Sequence, residues 1–147
     1  MMSIIVKFLM LTAMSLGTAA LYRVPKKLIP WGGLCGGIGG SMLLLLQSSF
    51  LGPVVATFVA ACLVGGLSEF LARLKKQPVS IFLIPGFIPL VPGRYAYMTM
   101  RSFVESDLIT GLSLAVHTLS LAGAIAFGIF LSGTLYRIFI YRSQIWH

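Results

Sequence analysis

The sequence predicts an all-α, polytopic transmembrane helical domain of about five spans, the fourth broken by proline and glycine. Three observations lead there. Of 147 residues, 58% are hydrophobic and only 10% are charged, against about 25% charged in an ordinary soluble domain. The apolar residues gather in runs long enough to cross the hydrocarbon, which takes about 20 helical residues. The basic residues fall in short clusters between those runs, as loops held on the cytoplasmic side do. A chain this apolar cannot hide its surface in one soluble core, so residues 1–147 are read as a single membrane domain facing the lipid bilayer.

The first run, residues 3–22, is interrupted only by Lys7 and ends at Arg23-Val24-Pro25-Lys26-Lys27. A cleaved signal peptide is the rival, because Gly17-Thr18-Ala19-Ala20 offers small residues near a cleavage site. Against it, Lys7 follows Ile4-Ile5-Val6 instead of preceding the apolar stretch, and cleavage would strand three positive charges outside. The second run, residues 31–47, is glycine-rich. Gly32, Gly36 and Gly40 share one helical face with Gly33 and Gly37 beside them, a small-xxx-small stripe for close helix packing. A nucleotide loop is excluded, since no strand precedes it and the Gly-x-Gly-x-x-Gly spacing is absent.

The third run, residues 51–72, closes on Ser68-Glu69-Phe70-Leu71-Ala72-Arg73 and the basic turn Lys75-Lys76-Gln77-Pro78. Pro78 helps end the helix and holds Gln77 extended. The fourth, residues 79–100, contains Pro85, Gly86, Pro89, Pro92 and Gly93, and no continuous helix survives that. After Arg101, Glu105 and Asp107, the last run covers residues 109–136, and the chain finishes on Arg137, Arg142 and His147. With the N-terminus outside, Arg23, Lys26, Lys27, Arg73, Lys75, Lys76, Arg137 and Arg142, eight of the 11 basic residues, fall inside. The positive-inside rule therefore favours a cytoplasmic C-terminus, provided the fourth segment crosses and does not re-enter.

The formal charge of +8 does not mark a nucleic-acid binder, because no aromatic and basic residues interleave on a polar surface. Cys35 and Cys62 lie in apolar Gly- or Ala-rich runs without a His or acid to complete a metal site, and read as small packing residues. No His-Glu-x-x-His or Gly-x-Ser-x-Gly motif occurs, and three acids leave little for hydrolytic chemistry. The chain is read as a non-enzyme without cofactor or metal.

The sharpest local feature is Ile84-Pro85-Gly86-Phe87-Ile88-Pro89-Leu90-Val91-Pro92-Gly93-Arg94-Tyr95-Ala96-Tyr97. Broken backbone at membrane depth leaves polar groups unpaired at a cost of about several kcal/mol each, so it is buried or lines a wet cavity. Discontinuous helices build transporter sites because a half-helix N-terminus offers free amides to a carboxylate. Pro92-Gly93 reads as such a restart, and Arg94 adds a fork of donors; a kinked structural helix with Arg94 snorkelling to the headgroups is the alternative. Pro85, Pro89, Pro92, Gly93, Arg94 and Tyr97 are thus the candidate substrate residues. Glu69 and Arg73, four apart, suit either an interfacial ion pair or proton coupling through Glu69. His117 in the last span suits a proton carrier, a substrate contact or a hydrogen bond between helices, whereas Glu105 and Asp107 read as a solvated outer loop.

At these residues the chain resembles the threonine/serine exporter family, specifically the small five-span subunit that corresponds to the C-terminal half of fused exporters. The resemblance covers most of the chain. It rests on Tyr22-Arg23-Val24-Pro25-Lys26-Lys27 leading into the glycine-rich span, on Ser68-Glu69 with Ala72-Arg73 and Pro78, and above all on Pro89-Leu90-Val91-Pro92-Gly93 with Tyr97. It departs at Ser41-Met42-Leu43, where family members often carry an aromatic residue. The resemblance implies export of threonine, serine or a small organic acid across the inner (plasma) membrane, driven by the proton gradient, with a larger homologous membrane subunit as partner. A non-transporting scaffold docking through the glycine stripe is the rival from another class.

Overall fold

In the computed structural model, residues 4–47 and 52–144 are described, and among them the regular structure is helical throughout. The elements are α1 (Ile4–Leu21), α2 (Ile29–Gln47), α3 (Pro53–Lys75), α4 (Ser80–Phe87), a 3-10 turn (Ile88–Leu90), α5 (Gly93–Val104) and α6 (Leu108–Gln144). Ser3, Leu51, His147 and the side chain of Arg142 lie outside the described residues. Helices α2, α3 and α6 are each long and apolar enough to cross a membrane, and α1 is a shorter apolar helix. The expected break is there: residues 80–90 and α5 satisfy the test for a span only together, and they meet at 54°. The last helix runs beyond the apolar stretch that predicted it; its 37 residues reach about 55 Å at about 1.5 Å per residue, well past a hydrocarbon core of about 30 Å.

Three of the helices end in one way. Arg23, Lys76 and Ser106 adopt left-handed backbone, with φ of 54°, 52° and 63°. After each, the next N–H reaches back five residues: Val24 to the Ala19 carbonyl at 3.1 Å, Gln77 to Ala72 at 2.9 Å and Asp107 to Ser102 at 2.9 Å. This is the Schellman cap, which satisfies carbonyls that a helix end leaves orphaned. Glycine is the usual residue there, and Arg, Lys and Ser bear the Cβ penalty instead. Asp107 then starts α6, its carboxylate accepting the Thr110 N–H at 3.1 Å. The Thr110 hydroxyl and then that N–H hold the Asp107 carboxyl below its ordinary range. The cap therefore acts above the usual aspartate pKa of about 3.9 and is lost as the pH falls through the lowered value.

The glycine stripe of α2 is where the bundle closes. A Cβ on Gly40 would lie 3.0 Å from Leu11 of α1 and 3.2 Å from Pro89, and one on Gly32 would lie 3.0 Å from Pro85. At Gly36 it would fall on Ser15 Oγ and 2.7 Å from the Pro85 carbonyl oxygen. The stripe thus holds α1 on one side and the broken span on the other, all within the chain, and leaves no free face of the kind a glycine-docked scaffold needs. Across α2, Cys35 Sγ touches Ser68 Oγ of α3 at 3.4 Å, and Gly39 sits against Val64.

Helix directions follow from these contacts. Phe58 and Ala61 of α3 face Gly128 of α6, Gly65 faces Ser132, and Glu69 faces Gly133, so α3 and α6 run parallel. Parallel neighbours require that the chain between them return to the starting side. Residues 80–104 therefore cross the bundle from end to end rather than re-entering, and α5 pairs antiparallel with α6 through Thr99 and Thr118, whose hydroxyls are 3.4 Å apart.

Gly36→Ile drives a branched side chain into a backbone carbonyl and is expected to lower stability by about 3 kcal/mol or more. Gly66→Ala, where nothing lies within 4 Å of the new Cβ, is expected to be neutral or slightly stabilising in its helix. Thermal unfolding of both variants in detergent, followed by size-exclusion, checks the contrast.

Candidate functional site

The broken span begins with a bonding problem. In an α-helix the Pro85 carbonyl would receive the N–H of residue 89, which is proline and has none. Ser15 of α1 donates its hydroxyl to that carbonyl at 2.8 Å, and both residues are fully buried. The Ile88 carbonyl, deprived by Pro92 in the same way, takes the Val91 N–H at 3.1 Å. Pro85 and Pro89 thus face α1 and α2, as walls of the packed bundle.

Beyond the bend the character changes. Pro92 caps α5 without a side-chain hydrogen bond to the helix, Gly93 opens it with nothing within 4 Å of its Cβ position, and Arg94 is exposed. Tyr97 is 68% exposed. Tyr95, two residues after Gly93, meets the His117 ring in a T-shaped contact with centroids 4.7 Å apart. The six residues predicted as one site are therefore divided: Pro85 and Pro89 point into the bundle, Pro92 caps α5 at the bend, and Gly93, Arg94 and Tyr97 are exposed on α5.

Glu69 lies elsewhere. It is 8% exposed and lines a cleft of about 660 Å³ together with Arg73, Lys76, Gln77, Pro78 and Arg137. The ion pair with Arg73 does not form: the Arg73 guanidinium sits over the Tyr136 ring at 5.3 Å. Among the described residues the ion pair found is Arg101 with Glu105, on the surface. His117 and Glu69 are not companions either, since Gly133, which faces Glu69, is roughly 24 Å farther along α6 than His117.

The basic turns share one end of the molecule. Lys75 Nζ lies 4.2 Å over the Trp31 ring at the start of α2, a small cleft joins Arg23 and Pro25 to Ser80, and Arg137 joins Arg73 and Lys76. Glu105 and Asp107 lie at the opposite end of α5, where α6 begins. Sequence patterning carried no signal for Ser15, Tyr136 or the Tyr95–His117 contact, because which helices meet is not written in any one helix's periodicity.

Apolar helices in this number, joined by a bent span, define a multi-pass helical membrane protein. The family model for the threonine/serine exporter, ThrE, matches residues 7–135, and the chain belongs to that family. No solved structure matches it.

Ser15→Ala strands the Pro85 carbonyl and is expected to cost about 1–3 kcal/mol. Thr18→Ala, which removes only a bond to the Met14 carbonyl of its own helix, is expected to cost under about 0.5 kcal/mol. The two melting temperatures, measured in one lipid environment, give the comparison.

Proposed function

We propose that this chain is a subunit of a secondary exporter that moves threonine, serine or a related small carboxylate out of the cell, coupled to protons. The observation that carries the reading is the broken span. Helix α5 restarts at Gly93 in open space with Arg94 beside it; the Gly93 N–H is taken by the Val91 carbonyl at 2.8 Å, so the Arg94 and Tyr95 amides and a guanidinium stand together for a substrate carboxylate. Family membership supplies the substrate class. Glu69 and His117 are the groups within the helices suited to changing protonation during the cycle. Nothing in this reading calls for enzymatic chemistry or a cofactor.

Support for a larger homologous membrane partner comes from α5 itself. Arg94, Tyr97 and Arg101 are exposed along it, and a guanidinium facing hydrocarbon is costly, so this face suits contact with protein or a water-filled path. Support for an outside N-terminus and a cytoplasmic C-terminus, in the inner membrane, comes from the gathering of Arg73, Lys76 and Arg137 at one end.

Cells loaded with a threonine- or serine-containing dipeptide provide the test. Efflux of labelled amino acid is expected only when chain and partner are both present, and is expected to stop when the proton gradient is collapsed. Gly93→Val, which has space for its side chain, is expected to assemble normally and lose about 90% or more of that efflux, as befits about 1.4 kcal/mol or more of lost transition-state binding. Full efflux from this variant would remove α5's first turn from the substrate path. No efflux in any combination, with expression verified, would overturn the exporter reading for these substrates.

A further inference from the structure

The cleft around Glu69 is a second place with the chemistry of a small amino acid. Its floor is Glu69, a residue more than nine-tenths buried whose carboxylate faces the cleft. Among the described residues this carboxylate has no hydrogen-bond or ion-pair partner, which leaves it free to take a cation that enters the cleft. Its rim carries three cations: Arg73 and Lys76 from the end of α3, and Arg137 from α6. The volume of about 660 Å³ falls in the range of about 300–1,000 Å³ typical of small-ligand sites.

The polarity is arranged by fixed backbone. Lys76 is held in left-handed geometry, φ 52°, by the cap in which its N–H and that of Gln77 reach back to Arg73 and Ala72. Arg73 is occupied with the Tyr136 ring and so does not collapse onto Glu69. Gly133 of α6 faces the carboxylate, and a Cβ there would lie 3.6 Å from Oε1. One buried negative charge below and separated positive charges above match a zwitterion, ammonium down and carboxylate up.

We infer that this cleft is a recognition site for a zwitterionic α-amino acid, in which Glu69 takes the ammonium group and Lys76 with Arg137 takes the carboxylate. The inference rests on the exporter reading and adds an entry site at the basic end of the molecule, separate from the first turn of α5.

The test is calorimetric binding by the full chain in lipid nanodiscs, with threonine, N-acetylthreonine, which has no ammonium, and threoninamide, which has no carboxylate. Threonine is expected to bind about tenfold or more tightly than either analogue. Glu69→Gln is expected to weaken threonine about tenfold while leaving N-acetylthreonine unchanged. Arg137→Gln is expected to weaken threonine and N-acetylthreonine together and to spare threoninamide. Lys76→Gly, which relieves the left-handed strain and so does not threaten folding, is expected to behave as Arg137→Gln does. A purely structural role for Glu69 would lower all three ligands alike, and that result overturns the inference, as does equal binding of the three by the unaltered chain or no binding at all. Dipeptide-loaded efflux separates the two claims: efflux that persists while nanodisc binding is absent, or is indifferent to Glu69, sinks the cleft and leaves the exporter standing. Loss of efflux in every combination sinks the exporter.

Discussion

A carbonyl without a donor has no recourse inside hydrocarbon, and Pro89 creates one at Pro85. The arrangement of the first four helices follows from meeting that need. The donor is Ser15, which sits on α1 and can reach only if α1, α2 and α4 converge within a few ångströms. Convergence in turn requires that α2 have no side chains where they meet, and Gly32, Gly36 and Gly40 meet that requirement, with hypothetical Cβ atoms already at or inside contact distance of Pro85, Ser15 and Leu11. The glycines are thus explained by the proline two helices later. In lipid, where apolar side chains gain nothing by leaving the solvent, such close backbone approach is what dispersion and a single buried hydrogen bond need to hold helices together.

The same constraint divides the molecule. Before the bend the chain contributes the packed centre of the bundle; Phe82 and Val64 are fully buried, and Leu90 nearly so. Beyond the 54° bend, α5 leaves that bundle and leans on α6, where Leu112, Val116 and Leu119 are all more than half exposed. Apolar exposure on α6 is what a lipid-facing helix shows. Exposure of Arg94 on α5 differs from that pattern, whereas Arg101 is paired with Glu105 at the end of the helix.

Much of this was legible in the sequence because it depends on one segment at a time. Span lengths follow from hydropathy, the break from Pro85, Pro89 and Pro92, and the restart from Pro92-Gly93. Basic residues at the ends of α1 and α3 were visible too, although not that Arg23 and Lys76 occupy the left-handed position where glycine is expected. What could not be read is which side chains meet. The i, i+4 spacing of Glu69 and Arg73 fits an ion pair, yet Tyr136, far along the chain, offers the guanidinium a ring face and takes it. His117 and Glu69 looked like alternatives for one task, and the length of α6 keeps them apart. The prolines and Arg94 looked like one site, and the bend turns them to opposite surroundings.

That separation bears on how a chain of this size can take part in transport. A site at the break alone would place substrate on an open face of α5, with no protein on the far side to enclose it. A cleft at the basic end alone opens at one end of the bundle and leads nowhere. Helix α6 is the element common to both, passing Gly133 near Glu69 and His117 near Tyr95, and it is held to α3 by close approach at Ala61, Gly65, Gly128 and Ser132, by the stacked rings of Phe58 and Phe127 and by Arg73 over Tyr136. Contacts of both kinds tie the two helices together along their length, so Glu69 and His117 sit against one continuous α6 although roughly 24 Å of it lies between their levels.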